Sequence, residues 1–160
     1  MIRRLKYTFL LVVFLAITSF GQSFSMSELI RMSTMDVDNF DTYVTSKGYV
    51  FHKSIDEPTR TGVGYAFNLD YDNSTASNFI KLYQRYFKYR YCISYQTIDK
   101  KEYINVKNQL KVLGFKLKDT SVFKSDDGRV SNNFVYRKGK AEIDIYSSFD
   151  SYEINYTVDY

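Results

Sequence analysis

Apolar residues along the chain follow two alternating rhythms. From Val37 through Phe40 to Val44 they recur every three or four positions, and they do so again from Tyr103 through Val106 and Leu110 to Leu113. That spacing lines them up on one stripe of a helix. Elsewhere the period shortens to two. Tyr65, Phe67, Leu69 and Tyr71 alternate with Ala66, Asn68 and Asp70. Tyr89, Tyr91, Ile93 and Tyr95 alternate with Arg90, Cys92, Ser94 and Gln96, and Tyr152, Ile154, Tyr156, Val158 and Tyr160 alternate with Glu153, Asn155, Thr157 and Asp159. Such alternation predicts strands with one apolar and one polar face, as in an antiparallel sheet covered on one side.

Polar and glycine punctuation divides these stretches. Ser27 is placed to cap a short first helix carrying Leu29, Ile30 and Met32, and Asp36 or Asp38 to start the second. Asp99 and Glu102 have capping-box spacing ahead of the third. Gly48 and Gly114 stand where a helix closes in the left-handed conformation, and Tyr49, Val50 and Phe51 then read as strand. Further strands are expected at 79–86 and 141–147. Lys138, Gly139 and Lys140 form a short hairpin between strands; a longer polar loop covers 72–78, and Pro58 falls in a loop at 56–64.

Shifted by 66 positions, the chain matches itself. Val37, Phe40, Val44, Gly48, Tyr49 and Phe51 fall on Tyr103, Val106, Leu110, Gly114, Phe115 and Leu117, and farther along the offset drifts to 63, setting Ile80 against Ile143. The expected fold class is therefore α+β: a tandem repeat of a helix plus a four-stranded antiparallel sheet, with helices packed on one sheet face. Residues 22–97 form the first repeat and 98–160 the second, in one shared domain. This architecture resembles that of the secreted β-lactamase-inhibitor protein family, over most of the chain after its leader. The resemblance implies a sheet face that grips a protein. That family staples its repeats with disulfides, which this chain, with Cys92 alone, cannot copy.

The N-terminus adds a location. Arg3, Arg4 and Lys6 flank an eleven-residue apolar run at 7–17, too short for the roughly 20 residues that span a bilayer. Ser19 and Gly21 then suit cleavage before Gln22, with Ser23 and Ser25 marking a second possible site. The expected protein is thus secreted or periplasmic, with a signal peptide at 1–21 and no stable membrane anchor after cleavage. No cysteine near the cut offers a lipid attachment site. The net charge of +4 comes from 22 basic and 18 acidic residues. Without the three leader cations the balance falls to +1, so charge gives no support to a nucleic-acid partner.

Candidate chemistry is sparse. Nucleophilic hydrolysis needs a base, and the single histidine, His52, has only Asp56 and Glu57 near it in sequence. Asp70, Asp72 and Ser74 begin like a calcium loop, but Thr75 replaces its turn glycine and Lys81 its closing glutamate. Neither reading outweighs a binding role, so no enzyme activity, cofactor or metal is expected. The densest aromatic and basic stretch surrounds the third and fourth strands. Strand parity turns Tyr89 and Tyr91 inward and leaves Lys81, Tyr83, Arg85 and Arg90 as the expected exposed set. Tyrosine and arginine are favoured at protein interfaces because each pairs large contact area with a polar tip. The function expected is that of a non-enzymatic binding or accessory protein contacting another macromolecule, with a protein partner, through its polar sheet face. The alternative is a small-ligand carrier with an aromatic pocket lined by Tyr65, Phe67, Tyr91 and Tyr95.

Overall fold

A computed structural model describes residues 23–85, 90–126 and 128–158. The expected signal segment lies outside these residues, as do Tyr89 and Tyr160, which parity was expected to turn inward. Among these residues three helices, α1 (Met26–Met32), α2 (Val37–Ser46) and α3 (Lys100–Val112), accompany eight strands. The first four strands are β1 (Val50–Glu57), β2 (Arg60–Phe67), β3 (Asn78–Arg85) and β4 (Arg90–Thr97). The rest are β5 (Lys116–Lys124), β6 (Val130–Lys138), β7 (Ala141–Ser147) and β8 (Tyr152–Val158). All pair antiparallel in one sheet of order β1-β2-β3-β4-β8-β7-β6-β5, so the last strand of each run of four meets the other at the centre. The fold class is α+β.

Side-chain parity directs the packing. Tyr65 and Phe67 on β2, Ile80 and Leu82 on β3, Ile93 and Tyr95 on β4, Ile143 and Ile145 on β7 and Ile154 and Tyr156 on β8 are all buried in one cluster. The helices supply Leu29, Met32, Phe40, Val44, Tyr103, Val106 and Leu110 to the same cluster. These three helices therefore cover one face of the sheet, and among the described residues no helix covers the other.

The ends of these elements follow local chemistry, with three departures from the sequence expectation. The α1 cap is Ser25, not Ser27: its hydroxyl accepts from the Glu28 amide at 3.2 Å while Glu28 accepts from the Ser25 amide at 2.8 Å, a reciprocal capping box. Asp36 caps α2 by accepting from the Asn39 amide at 2.8 Å. Asp99 caps α3 through the Lys101 amide, but the expected box with Glu102 does not form. The Glu102 carboxylate instead accepts from Asn78 (2.8 Å), Tyr95 (2.7 Å) and Thr97 (2.8 Å), tying α3 to β3 and β4 through buried polar groups. Burial pushes the Tyr95 and Tyr49 hydroxyls above their usual range.

The third departure concerns turns. Pro58 and Thr59 alone separate β1 from β2, so the expected loop at 56–64 is a tight hairpin. Strand β2 ends at Phe67 because Asn68 turns left-handed at φ 51°, and Tyr71, expected on the inward face, is 74% exposed in the following loop. Gly48 (φ 86°) and Gly114 (φ 83°) close α2 and α3 as expected. Beyond each, the register shifts by one residue, between Phe51 and Lys53 on β1 and between Leu117 and Asp119 on β5. Such bulges bend an edge strand.

Candidate functional site

The face without helices is the candidate site. Across its first four strands run two aligned rows: Ile55, Gly62, Tyr83 and Cys92, and beside them Lys53, Gly64, Lys81 and Ser94. Glycines at both β2 positions leave a shallow trough between β1 and β3. The flanking lysines fill the upper part of it: the Lys81 and Lys53 Cγ atoms lie 3.4 and 3.7 Å from where a side chain on Gly64 would begin.

Tyr83, expected to be exposed, is 5% exposed and forms a small second core with Ile55 and Cys92. Parity placed it on the correct face. Its burial has a local cause, because the opposing Gly62 carries no side chain and the strands close in until the Tyr83 Cβ lies only 2.7 Å from where a Cβ on Gly62 would sit. The Arg60 guanidinium then sits 5.3 Å from the Tyr83 ring centroid, a cation–π cap. Arg60 is itself held by Glu57 through two hydrogen bonds of 2.8 and 2.9 Å. These bonds hold the exposed Glu57 carboxyl below its usual range.

Lys81 is half-buried; burial lowers its ammonium below the usual lysine range, and the Glu153 carboxylate opposes that shift. Arg85 stands in register with Arg60 on one side and Arg90 on the other, so three arginine positions share a row at the β3–β4 turn. Sequence reasoning missed Arg60, Lys53 and Gly62. The signal for them was available in β2, where glycines at alternate positions mark a strand whose neighbours approach closely.

Across the centre the same face continues into β8 and β7. Cys92 and Ser94 pair with Thr157 and Asn155, and these with Glu142 and Asp144. Cys92 is fully buried and accepts from the Thr157 hydroxyl at 3.6 Å, while Ser94 donates to Glu153 at 3.0 Å. The middle of the face is therefore dry beneath long charged side chains rather than wet throughout.

The remaining sequence candidates fall elsewhere. His52 occupies the β1 bulge beside Phe79, with ring centroids 5.4 Å apart, and the rise of an extended strand sets Asp56 about 13 Å away. Glu57 is already engaged by Arg60. His52 thus has neither carboxylate for a partner. Asp70 spends its carboxylate on the amides of Asp72 and Asn73 and on the Asn73 side chain at 2.7 Å, the geometry of a closed turn. Among the described residues no group of three or more histidine, cysteine, aspartate or glutamate side chains is arranged to hold a metal ion.

Tyr65, Phe67 and Tyr95 pack in the core instead of lining a pocket, and Tyr91 enters only as a register position opposite Gln84. A cleft of about 340 Å³ does exist, between the start of α2 and the β2–β3 pair, lined by Met35, Val37, Thr61, Val63, Leu82 and Gln84 among others. No protein-family model, no curated protein and no solved structure matches this chain.

Proposed function

We propose that this protein is an exported, non-enzymatic binding protein that engages another macromolecule, a protein partner, through the helix-free face of its sheet. The observation that carries the reading is the inequality of the two faces. Among the described residues one is covered by three helices, while the other presents Lys53, Arg60 and Lys81 over a dry centre; Arg85 and Arg90 enter only as register positions in the row of Arg60, their side chains lying outside what is described. Long cationic stems laid over a buried tyrosine give broad contact area with charged tips, a surface matched to an acidic protein patch. The isolation of His52 from Asp56 and Glu57 supports a role without catalysis, and none of these groups calls for a cofactor.

We further infer that residues 22–97 and 98–160 are tandem repeats. In support, the closing glycines, the hydrogen bonds from Tyr49 to Val44 and from Phe115 to Leu110, and the bulges at 52 and 118 all recur at a spacing of 66. A tandem unit of this kind fits the resemblance to the β-lactamase-inhibitor protein family and its protein-gripping sheet. Export rests on the basic and apolar leader at 1–21, and N-terminal sequencing of the mature protein checks it. Among the described residues no helix is long and apolar enough to cross a membrane.

The binding reading is tested by affinity capture from the native extract. Lys53→Glu with Lys81→Glu reverses two charges without touching the core, so partner recovery is expected to fall at least tenfold while the melting temperature stays near the parent value. Equal recovery by parent and variant would reject the face. Tyr83→Ala is unsuitable for this purpose, because truncating a buried aromatic costs about 3 kcal/mol or more and confounds binding with folding.

A further inference from the structure

The helix-free face is electrically divided along its central seam. On the β1–β4 side Lys53, Arg60 and Lys81, with the register positions Arg85 and Arg90, outweigh Glu57. On the β8–β5 side Glu142, Asp144, Glu153 and Asp119 outweigh Lys116 and Arg137. One transverse row runs Lys53, Gly64, Lys81, Ser94, Asn155, Asp144, Val135, Asp119, with its cations in the first half and its anions in the second. The neighbouring row sets Phe79 on β3 and Tyr146 on β7 symmetrically about the seam.

Such a face is complementary to itself under one operation. A two-fold axis parallel to the strands and above the β4–β8 seam lays β3 of one copy over β7 of the other, and β1 over β5. Lys81 then faces Asp144, Lys53 faces Asp119, and Phe79 faces Tyr146, each twice. A two-fold axis perpendicular to the strands would instead stack cation on cation. We propose that the partner of this face is a second copy of the chain, bound about the strand-parallel axis; this identity rests on the reading of the face as a contact surface. The available area suits a dimer. Seven inter-strand steps of about 4.8 Å and strands about 20 Å long give roughly 700 Å² per copy, against about 800 Å² per partner in stable interfaces. Twisted sheets stack face to face at about −30°, which keeps facing strands nearly aligned. The net charge of each half carries the argument, since several of these groups also have partners within their own chain.

Charge exchange tests the pairing. The mature parent, examined by sedimentation velocity at low ionic strength, is expected to be a dimer that dissociates as salt rises, because the matched charges are screened. Lys53→Glu with Lys81→Glu, and separately Asp119→Lys with Asp144→Lys, should each weaken self-association at least tenfold while keeping the parent melting temperature. An equimolar mixture of the two variants should restore dimers, because in the mixed pair every reversed row meets an opposite row. A parent that stays monomeric at low salt, variants that dimerise as well as the parent, or a mixture that stays monomeric would each overturn the proposal. The capture experiment separates the two claims. A monomeric parent that still recovers a different protein through Lys53 and Lys81 leaves the binding face standing and removes only its self-pairing, whereas a monomeric parent with capture indifferent to those lysines removes both.

Discussion

Tyrosine does two jobs in this core. Tyr43 donates to Glu28 at 2.6 Å, Tyr65 to Asp41 at 2.6 Å and Tyr95 to Glu102 at 2.7 Å. Each ring fills apolar volume while its hydroxyl fastens to a carboxylate on a helix, so burial leaves no orphaned donor. The Glu28 carboxylate accepts four hydrogen bonds, two from Ser25 and one each from Tyr43 and Lys47. Burial alone would raise its carboxyl, yet the hydrogen bonds from Tyr43, Ser25 and Lys47 outweigh burial and hold it at about 2. A carboxyl held lower in the folded chain than in the unfolded one stabilises the fold at neutral pH and loses that contribution as the pH falls from about 4.5 toward 2. Stability measured by denaturant titration should therefore drop across that window, and Glu28→Gln should flatten the drop; a variant with the parent's acid profile would show that Glu28 is not the linked group. The pairings themselves could not be read in sequence. The α1 cap, by contrast, was legible: the run offers Ser25 and Ser27, and the three-residue spacing from Ser25 to Glu28 is that of a capping box, which selects the first.

At the scale of elements, period and parity were legible and depth was not. Alternation identified the inward side chains of Tyr65, Tyr95, Ile154 and Tyr156, and the three-and-four spacing identified both long helices. The same alternation failed at Tyr71, because a single left-handed Asn68 ends β2 and alternation carries no mark of where a strand stops. It also failed to foresee the burial of Tyr83, since parity names a face but not what the neighbouring strand leaves empty there. Gly62 is that empty place. A methyl group added to it would meet the Leu82 carbonyl oxygen at 2.2 Å and the Tyr83 Cα at 2.6 Å, both backbone atoms with no rotamer to yield. Gly62→Ala is accordingly expected to cost about 1–3 kcal/mol by forcing β2 and β3 apart. Chemical denaturation measures this, and an unchanged midpoint would mean that the two strands are less closely apposed than described.

For the whole molecule, the seam between β4 and β8 decides cooperativity. Six residue pairs, from Cys92–Thr157 to Thr97–Tyr152, join the halves, and the core beneath is a single cluster to which α1, α2 and α3 all contribute. Neither half can expose its side of that cluster without losing the other's cover. Thermal unfolding should thus show one transition, with far-ultraviolet and tyrosine near-ultraviolet signals coinciding. Two separated transitions would indicate halves that stand alone. Alternation made the strands readable, but not the junction of β4 with β8, because nothing in a period-two pattern says which strand becomes a neighbour of which.

The sheet order also leaves β1 and β5 as the two outer margins. Each carries a bulge near its start, and β5 adds Lys116, Lys118 and Lys124 along its length. A kinked, lysine-bearing margin is a poor template for a foreign strand, because added backbone finds its hydrogen-bonding row interrupted and its approach charged. Growth of the ribbon sideways into fibrils is thereby discouraged.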